Sequence, residues 1–172
     1  MLTELRLESY AVIDSVVVEF GPGLNLLTGE TGAGKSILID ALALLLGEKA
    51  SSDVIRGGAD RAVISAVFET EIAAEKALEK ILDSNGLDES DDGSLILRRE
   101  IATGGKGRAF VNNQPATVSV LKQLAPHLAI IHAQNESILS FDGPARLELL
   151  DSFAGVEMES VSAAFAGHQR AG

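Results

Sequence analysis

The stretch Leu24-Asn25-Leu26-Leu27-Thr28-Gly29-Glu30-Thr31-Gly32-Ala33-Gly34-Lys35-Ser36-Ile37-Leu38-Ile39-Asp40 decides the fold of this chain. Residues 29–36 satisfy G-x-x-x-x-G-K-[ST] in full, a match expected by chance in about 1% or less of chains this long. The run before it predicts a short buried strand over 24–28. The Ala-, Leu- and Ile-rich run after it predicts a helix over 37–46, apolar on nearly all sides and stopped by Gly47. Strand, glycine-rich loop and helix in that order form a phosphate cradle: the glycines let successive N–H groups turn inward, and the helix N-terminus adds its partial positive charge. The candidate binding residues are therefore Gly29, Glu30, Thr31, Gly32, Ala33, Gly34, Lys35 and Ser36. In such a loop the lysine reaches the β- and γ-phosphates and the serine hydroxyl ligates Mg²⁺.

Working outward, two strands precede the loop, Leu5 to Ser9 and Val16 to Phe20, with a turn predicted at Ile13-Asp14-Ser15 and a break at Gly21-Pro22-Gly23. After it come a polar stretch to Asp60 and a strand over 63–69. An amphipathic helix follows over 71–84, ended by Asn85-Gly86, and then a solvated acidic connection over 88–92. Residues 95–101 and 108–111 flank a glycine-rich tip and predict a β-hairpin. A short helix over 117–124, a buried strand over 128–132 and a helical tail from Pro144 complete the expectation.

Hydrolysis needs more than the cradle, because the metal requires a carboxylate at the end of a second strand and the water requires a base or orienting group. Asp40 and Asp151 both sit in helical settings, so no apolar strand ending in Asp-Glu is present in this sequence. Gln134, in Ile131-His132-Ala133-Gln134-Asn135-Glu136 after the last predicted strand, is the candidate contact to Mg²⁺ or water; an ordinary strand-to-helix loop is the competing account.

Composition narrows the setting. The chain has 172 residues with 46% hydrophobic content, enough for one domain with an ordinary core. A net charge of −11 excludes a generally basic, nucleic-acid-coating surface. No cysteine and three scattered histidines argue against disulfides and thiolate or histidine metal sites. An acidic N-terminus and the lack of a long apolar run predict a cytoplasmic protein with no membrane contact. Against the acidic background, Arg98, Arg99, Lys106 and Arg108 cluster in the hairpin. Two accounts of that cluster stand open, a phosphate-contacting patch and an edge strand protected by charge.

These residues resemble the N-terminal half of an ABC-type ATPase head of the structural-maintenance-of-chromosomes (SMC) group, and within it the RecN family of bacterial DNA-repair proteins. The resemblance runs over nearly the whole chain. It covers Leu2-Thr3-Glu4-Leu5-Arg6-Leu7, Ala11-Val12-Ile13, Thr28 to Ile37, Ile55-Arg56-Gly57-Gly58-Ala59, Gly107 to Asn112, Ile131 to Glu136 and Leu149-Leu150-Asp151. It implies that Gln134 is the Q-loop residue, serving catalysis and the metal. The family pattern is departed from at Ala133 and Asn135, and Lys49 stands where relatives often have Arg.

The fold class expected is thus α/β: the N-terminal lobe of a P-loop NTPase head of ABC/SMC type, with a β-rich edge subdomain, over 1–153, and the start of a coiled-coil helix over 154–172. The resemblance implies ATP and Mg²⁺ as cofactors. It implies as partners a C-terminal lobe of the same head, a second head in a homodimer, and DNA, in a nucleoid-associated setting. Alternatives are a nucleotide-independent dimerisation or DNA-tethering module and another SMC- or RecF-like P-loop ATPase. A GTPase is disfavoured because no Asn-Lys-x-Asp motif is present. Because this sequence offers no candidate for the metal-binding and water-positioning carboxylates, the chain alone is expected to turn over ATP negligibly. Steady-state phosphate release measures this, and a robust rate dependent on Lys35 would contradict it.

Overall fold

Burial alternates along β-strands whose every second residue is mostly apolar, which gives one face to bury, and the helices lie where they cover it. The computed structural model describes residues 1–28, 32–70, 72–90, 93–104 and 107–131. Six strands, β1 (Leu2–Tyr10), β2 (Ile13–Glu19), β3 (Arg61–Glu69), β4 (Ser94–Ala102), β5 (Gly107–Val111) and β6 (Gln114–Ala116), form one sheet. Its order is β2-β1-β3-β4-β5-β6, and every pairing is antiparallel. Leu5 and Leu7, Ala62 to Phe68 at every second residue, Leu95, Leu97, Arg99 and Ile101, and Ala109 and Val111 make up the buried row. Ser9, at φ 51°, breaks the alternation, so that Tyr10, three positions after Leu7, turns into the core where a two-residue period would place Ser9.

Three helices supply the other half of the core: α1 (Gly32–Leu45), α2 (Ile72–Ser84) and α3 (Val118–Leu128). Ala41, Leu44 and Leu45 come from α1, Leu78 and Leu82 from α2, and Val120, Leu121 and Leu124 from α3. The first helix lies on β3 and β4, and the other two pack on each other. No described helix is long and apolar enough to cross a membrane.

Helix ends follow from local chemistry. Thr117 caps α3, its side chain accepting from the Val120 N–H. Both α1 and α2 end in the same glycine motif. Gly47 N–H donates to Leu44 O and Glu48 N–H to Ala43 O; Gly86 N–H donates to Asp83 O and Leu87 N–H to Leu82 O. Each glycine has positive φ, 109° at Gly47 and 66° at Gly86. The two differ in surroundings: a Cβ at Gly47 would lie 2.5 Å from Lys122 Cγ, whereas at Gly86 it would meet nothing within 4 Å.

Several expectations need correction. The first turn is at Ala11 and Val12, and Ile13 to Ser15 already belong to β2. Residues 24–28 form no strand, and Leu24 and Leu26 are 94% and 79% exposed. An apolar run is buried only if something covers it, and no described strand pairs with this one. The helix predicted over 37–46 starts earlier, at Gly32, and its N-terminal part is not buried, with Ile39 and Asp40 exposed. The short helix extends to Leu128, past Pro126. The strand predicted over 128–132 is absent through Ile131, because Leu128 closes α3 and Ile130 is exposed; His132 lies outside the described residues. The hairpin strands are not edge strands, since β4 lies between β3 and β5, and β5 between β4 and β6. The helical tail from Pro144 lies outside the described residues.

The two glycines provide a matched test. A left-handed non-glycine residue costs about 1–2 kcal/mol, so Gly86→Ala is expected to destabilise by about that amount. Gly47→Ala adds displacement of Lys122 and is expected to cost a further ~1–3 kcal/mol. Urea denaturation of the two variants checks the order.

Candidate phosphate-binding site

The last five residues of the loop motif, Gly32 to Ser36, form the first turn and a half of α1. Gly29, Glu30 and Thr31 lie outside the described residues, as does Gln134. At the described end, Lys35 is half-buried and Ser36 exposed, and a Cβ at Gly34 would meet nothing within 4 Å. The first turn of α1 carries no acidic residue. The positive helix end, a lysine, a solvent-facing hydroxyl and open space beside a glycine backbone thus meet at one place. This arrangement fits a phosphate with a bound divalent ion.

Behind that end, the β1–β2 turn is tied to the segment that follows α1. Ala11 N–H donates to Val54 O at 2.7 Å, Arg56 N–H donates to Ser9 O at 2.9 Å, and the Arg56 guanidinium pairs with Asp14. Tyr10 is buried in the core, 2% exposed. Its burial, and secondarily the charge of Asp40 on α1, push the phenol pKa up to about 12. The sequence signal for Tyr10 was weak, since strand alternation alone points Ser9, not Tyr10, into the core.

The four basic residues of the hairpin do not share a face. Arg99 is 6% exposed and occupies the buried row of β4, where its Nη1 donates to Leu44 O and, at 2.6 Å, to Glu48 O at the end of α1. Burial lowers its pKa, partly opposed by Glu48. Arg98 faces the other side of the sheet, 4.2 Å over the Phe110 ring and 3.6 Å from Glu100. Arg108 lies opposite Glu100 in register, and Lys106 is outside the described residues. A four-cation phosphate patch is therefore excluded, because one arginine is spent inside and a carboxylate sits among the outward ones. The alternation Leu95, Leu97, Arg99, Ile101 already places Arg99 in the apolar row; its clustering with other cations obscured that signal. A cleft of about 470 Å³ opens beside Arg99, lined also by Gly47, Glu48, Lys49 and Lys122.

A model of the AAA domain matches residues 4–160. The chain belongs to the AAA-domain family. Among curated proteins it is similar to the DNA repair protein RecN of Bacillus subtilis (strain 168), 39% identical over 171 residues that cover 99% of this chain and 29% of the relative. RecN of Xylella fastidiosa (strain Temecula1) is 43% identical over 162 residues, covering 92% and 28% respectively. The chain thus spans less than a third of the length of the curated relatives it matches. Among solved structures it is similar to one from work on ATP-driven dimerization and DNA-stimulated activation of SMC ATPases. That likeness has a TM-score of 0.61 at 22% identity and covers 88% of this chain and 98% of that one. It establishes the fold: mixed α/β, an open antiparallel sheet with its P-loop helix, as in the N-terminal lobe of an SMC-type head. The resemblance to RecN and, in fold, to the SMC-type heads is borne out.

The Tyr10 environment yields a pH prediction. Its folded pKa, about 12, exceeds the 10.0 of an unperturbed phenol, so above pH 10 the unfolded chain releases the proton first. The stability contributed is full below that pH and is lost as pH rises toward 12. In Tyr10→Phe this component is absent, and unfolding free energies measured across that range should fall less steeply than in the parent.

Proposed function

We propose that this chain is the ATP-binding N-terminal lobe of an SMC-like ATPase head that couples ATP binding and hydrolysis to DNA double-strand-break repair and recombination. The observation that carries this reading is the complete Gly29-to-Ser36 motif, whose last five residues open α1 with Lys35 and Ser36 at its positive end. In it, the backbone of Gly29 to Gly34 cradles the phosphates, Lys35 neutralises the β- and γ-phosphates, and the Ser36 hydroxyl holds Mg²⁺. Ser36 and Gln134 would hold Mg²⁺, which would supply charge neutralisation to the phosphates. Gln134 serves as the Q-loop residue, contacting metal and water.

The C-terminal lobe of the same head supplies the missing carboxylates, and two heads engage as a homodimer on DNA. Apolar surface at Leu24, Leu26 and Ile130, each more than 60% exposed, supports a lobe that covers it. Residues 1–153 make up the lobe and 154–172 begin the coiled-coil arm. The setting is the cytoplasm, in association with the nucleoid.

Calorimetric titration with ATP·Mg²⁺ tests the reading. Lys35→Ala is expected to abolish measurable binding while leaving the circular dichroism spectrum unchanged, since it removes a charge partner of the phosphates and no core. Unchanged affinity would overturn the assignment.

A further inference from the structure

The fully buried residues of α1 are concentrated at the end remote from the phosphate site. Ala41, Leu44, Leu45 and, just beyond the helix, Leu46 are buried; Ile37 and Leu38 are only partly buried against the core, and Gly34, Ser36, Ile39 and Asp40 are exposed. The helix is 14 residues long, about 21 Å, and it lies on β3 and β4. The phosphate end is therefore held less deeply than the far end, and a tilt of about 5° at the Leu44 seat, about 13 Å away, moves Lys35 and Ser36 by about 1 Å.

What fixes the seat is polar as well as apolar. The last turn of α1 carries no basic residue of its own, although its free carbonyls hold partial negative charge. Arg99 supplies the cation from β4. It is the one buried charged residue among the described residues, and a single nitrogen, Nη1, bonds both Leu44 O and Glu48 O. Leu44 O also accepts from Gly47, so the arginine braces the glycine motif that ends the helix. Apolar contacts allow a helix to slide by fractions of an ångström, whereas two charge-assisted bonds to specified carbonyls define its axial position.

We propose that Arg99 is a positioning residue for the phosphate site: its guanidinium fixes the C-terminal end of α1 to β4 and thereby sets where the other end presents Lys35 and Ser36. The inference rests on reading the start of α1 as an ATP site, and the experiment separates the two. ATP·Mg²⁺ affinity and melting temperature are measured for the parent chain, Lys35→Ala, Arg99→Met, Arg99→Lys and Leu78→Ala, the last a core truncation in α2. Arg99→Met is expected to weaken ATP·Mg²⁺ binding at least tenfold. Arg99→Lys, which keeps a cationic donor, should restore most of it, and Leu78→Ala should lose stability without losing affinity. Affinity unchanged in Arg99→Met, or weakened equally in Leu78→Ala, would overturn the proposal. A parent chain with no Lys35-dependent binding would instead overturn the ATP site on which it rests, and the proposal with it.

A second measurement needs no Arg99 variant. Coupling is reciprocal, so ATP·Mg²⁺ should slow hydrogen exchange of the Gly47 and Glu48 amides severalfold in the parent and not in Lys35→Ala. Exchange there that is indifferent to bound nucleotide would refute the coupling even if Arg99→Met fails to fold.

Discussion

The seating of α1 on β3 and β4 is the constraint around which the described structure is organised. Under the proposed phosphate site the helix must bury its C-terminal end against the sheet while leaving its N-terminal end open to an anion, and these demands fall on opposite ends of the same rod. Ala41, Leu44 and Leu45 meet the first demand, and the exposed turn from Gly34 to Ser36 meets the second. Such a division suits a phosphate site. Backbone N–H groups at a helix start gain from facing an anion, while the partial negative charge at the other end gains from a cation. Arg99 satisfies that second requirement from inside the sheet. A buried guanidinium, costly to desolvate without partners, is here stabilised by the Leu44 and Glu48 carbonyls at the negative end of the helix.

The sheet separates these roles by face. The inner row is apolar apart from Arg99, and the outer row is mixed: Arg6 and Arg98 flank Ser65, with Glu4, Glu8 and Glu100 on adjacent positions of the register. Arg98 lies over Phe110 and close to Glu100, an arrangement that covers an aromatic ring with a cation's planar face. Two arginines adjacent in sequence thus do unrelated work, because successive strand residues point to opposite sides. Counting cations in the hairpin overstated its positive character for that reason.

Membership of the AAA-domain family, similarity to RecN and likeness to an SMC-type head agree with the motif on the same fold. The chain corresponds to less than a third of each RecN relative, and this is consistent with the absence from its sequence of the carboxylates that hydrolysis requires. The exposed Leu24 and Leu26 sit immediately before the loop motif.

By itself the sequence determined the features that depend on near neighbours along the chain. The G-x-x-x-x-G-K-S motif, the helix after it, the stop at Gly47, the strand over 63–69, the amphipathic helix ended by Gly86 and the hairpin were all legible. Each is specified by backbone freedom at a glycine or by a two- or 3.6-residue period. Tertiary structure decided what neighbours in space control. Residues 24–28 and 128–132 read as buried strands from hydropathy, yet a strand exists only where another strand accepts its hydrogen bonds, and no described strand does so for 24–28 or for the described part of 128–132. Tyr10 entered the core because Ser9 adopts a left-handed backbone, and β6 formed because the asparagine turn at Asn112-Asn113 brings it back on β5. Arg99 became an internal brace because register sets it beneath the carbonyl end of α1, a meeting of residues 55 positions apart that no local pattern encodes.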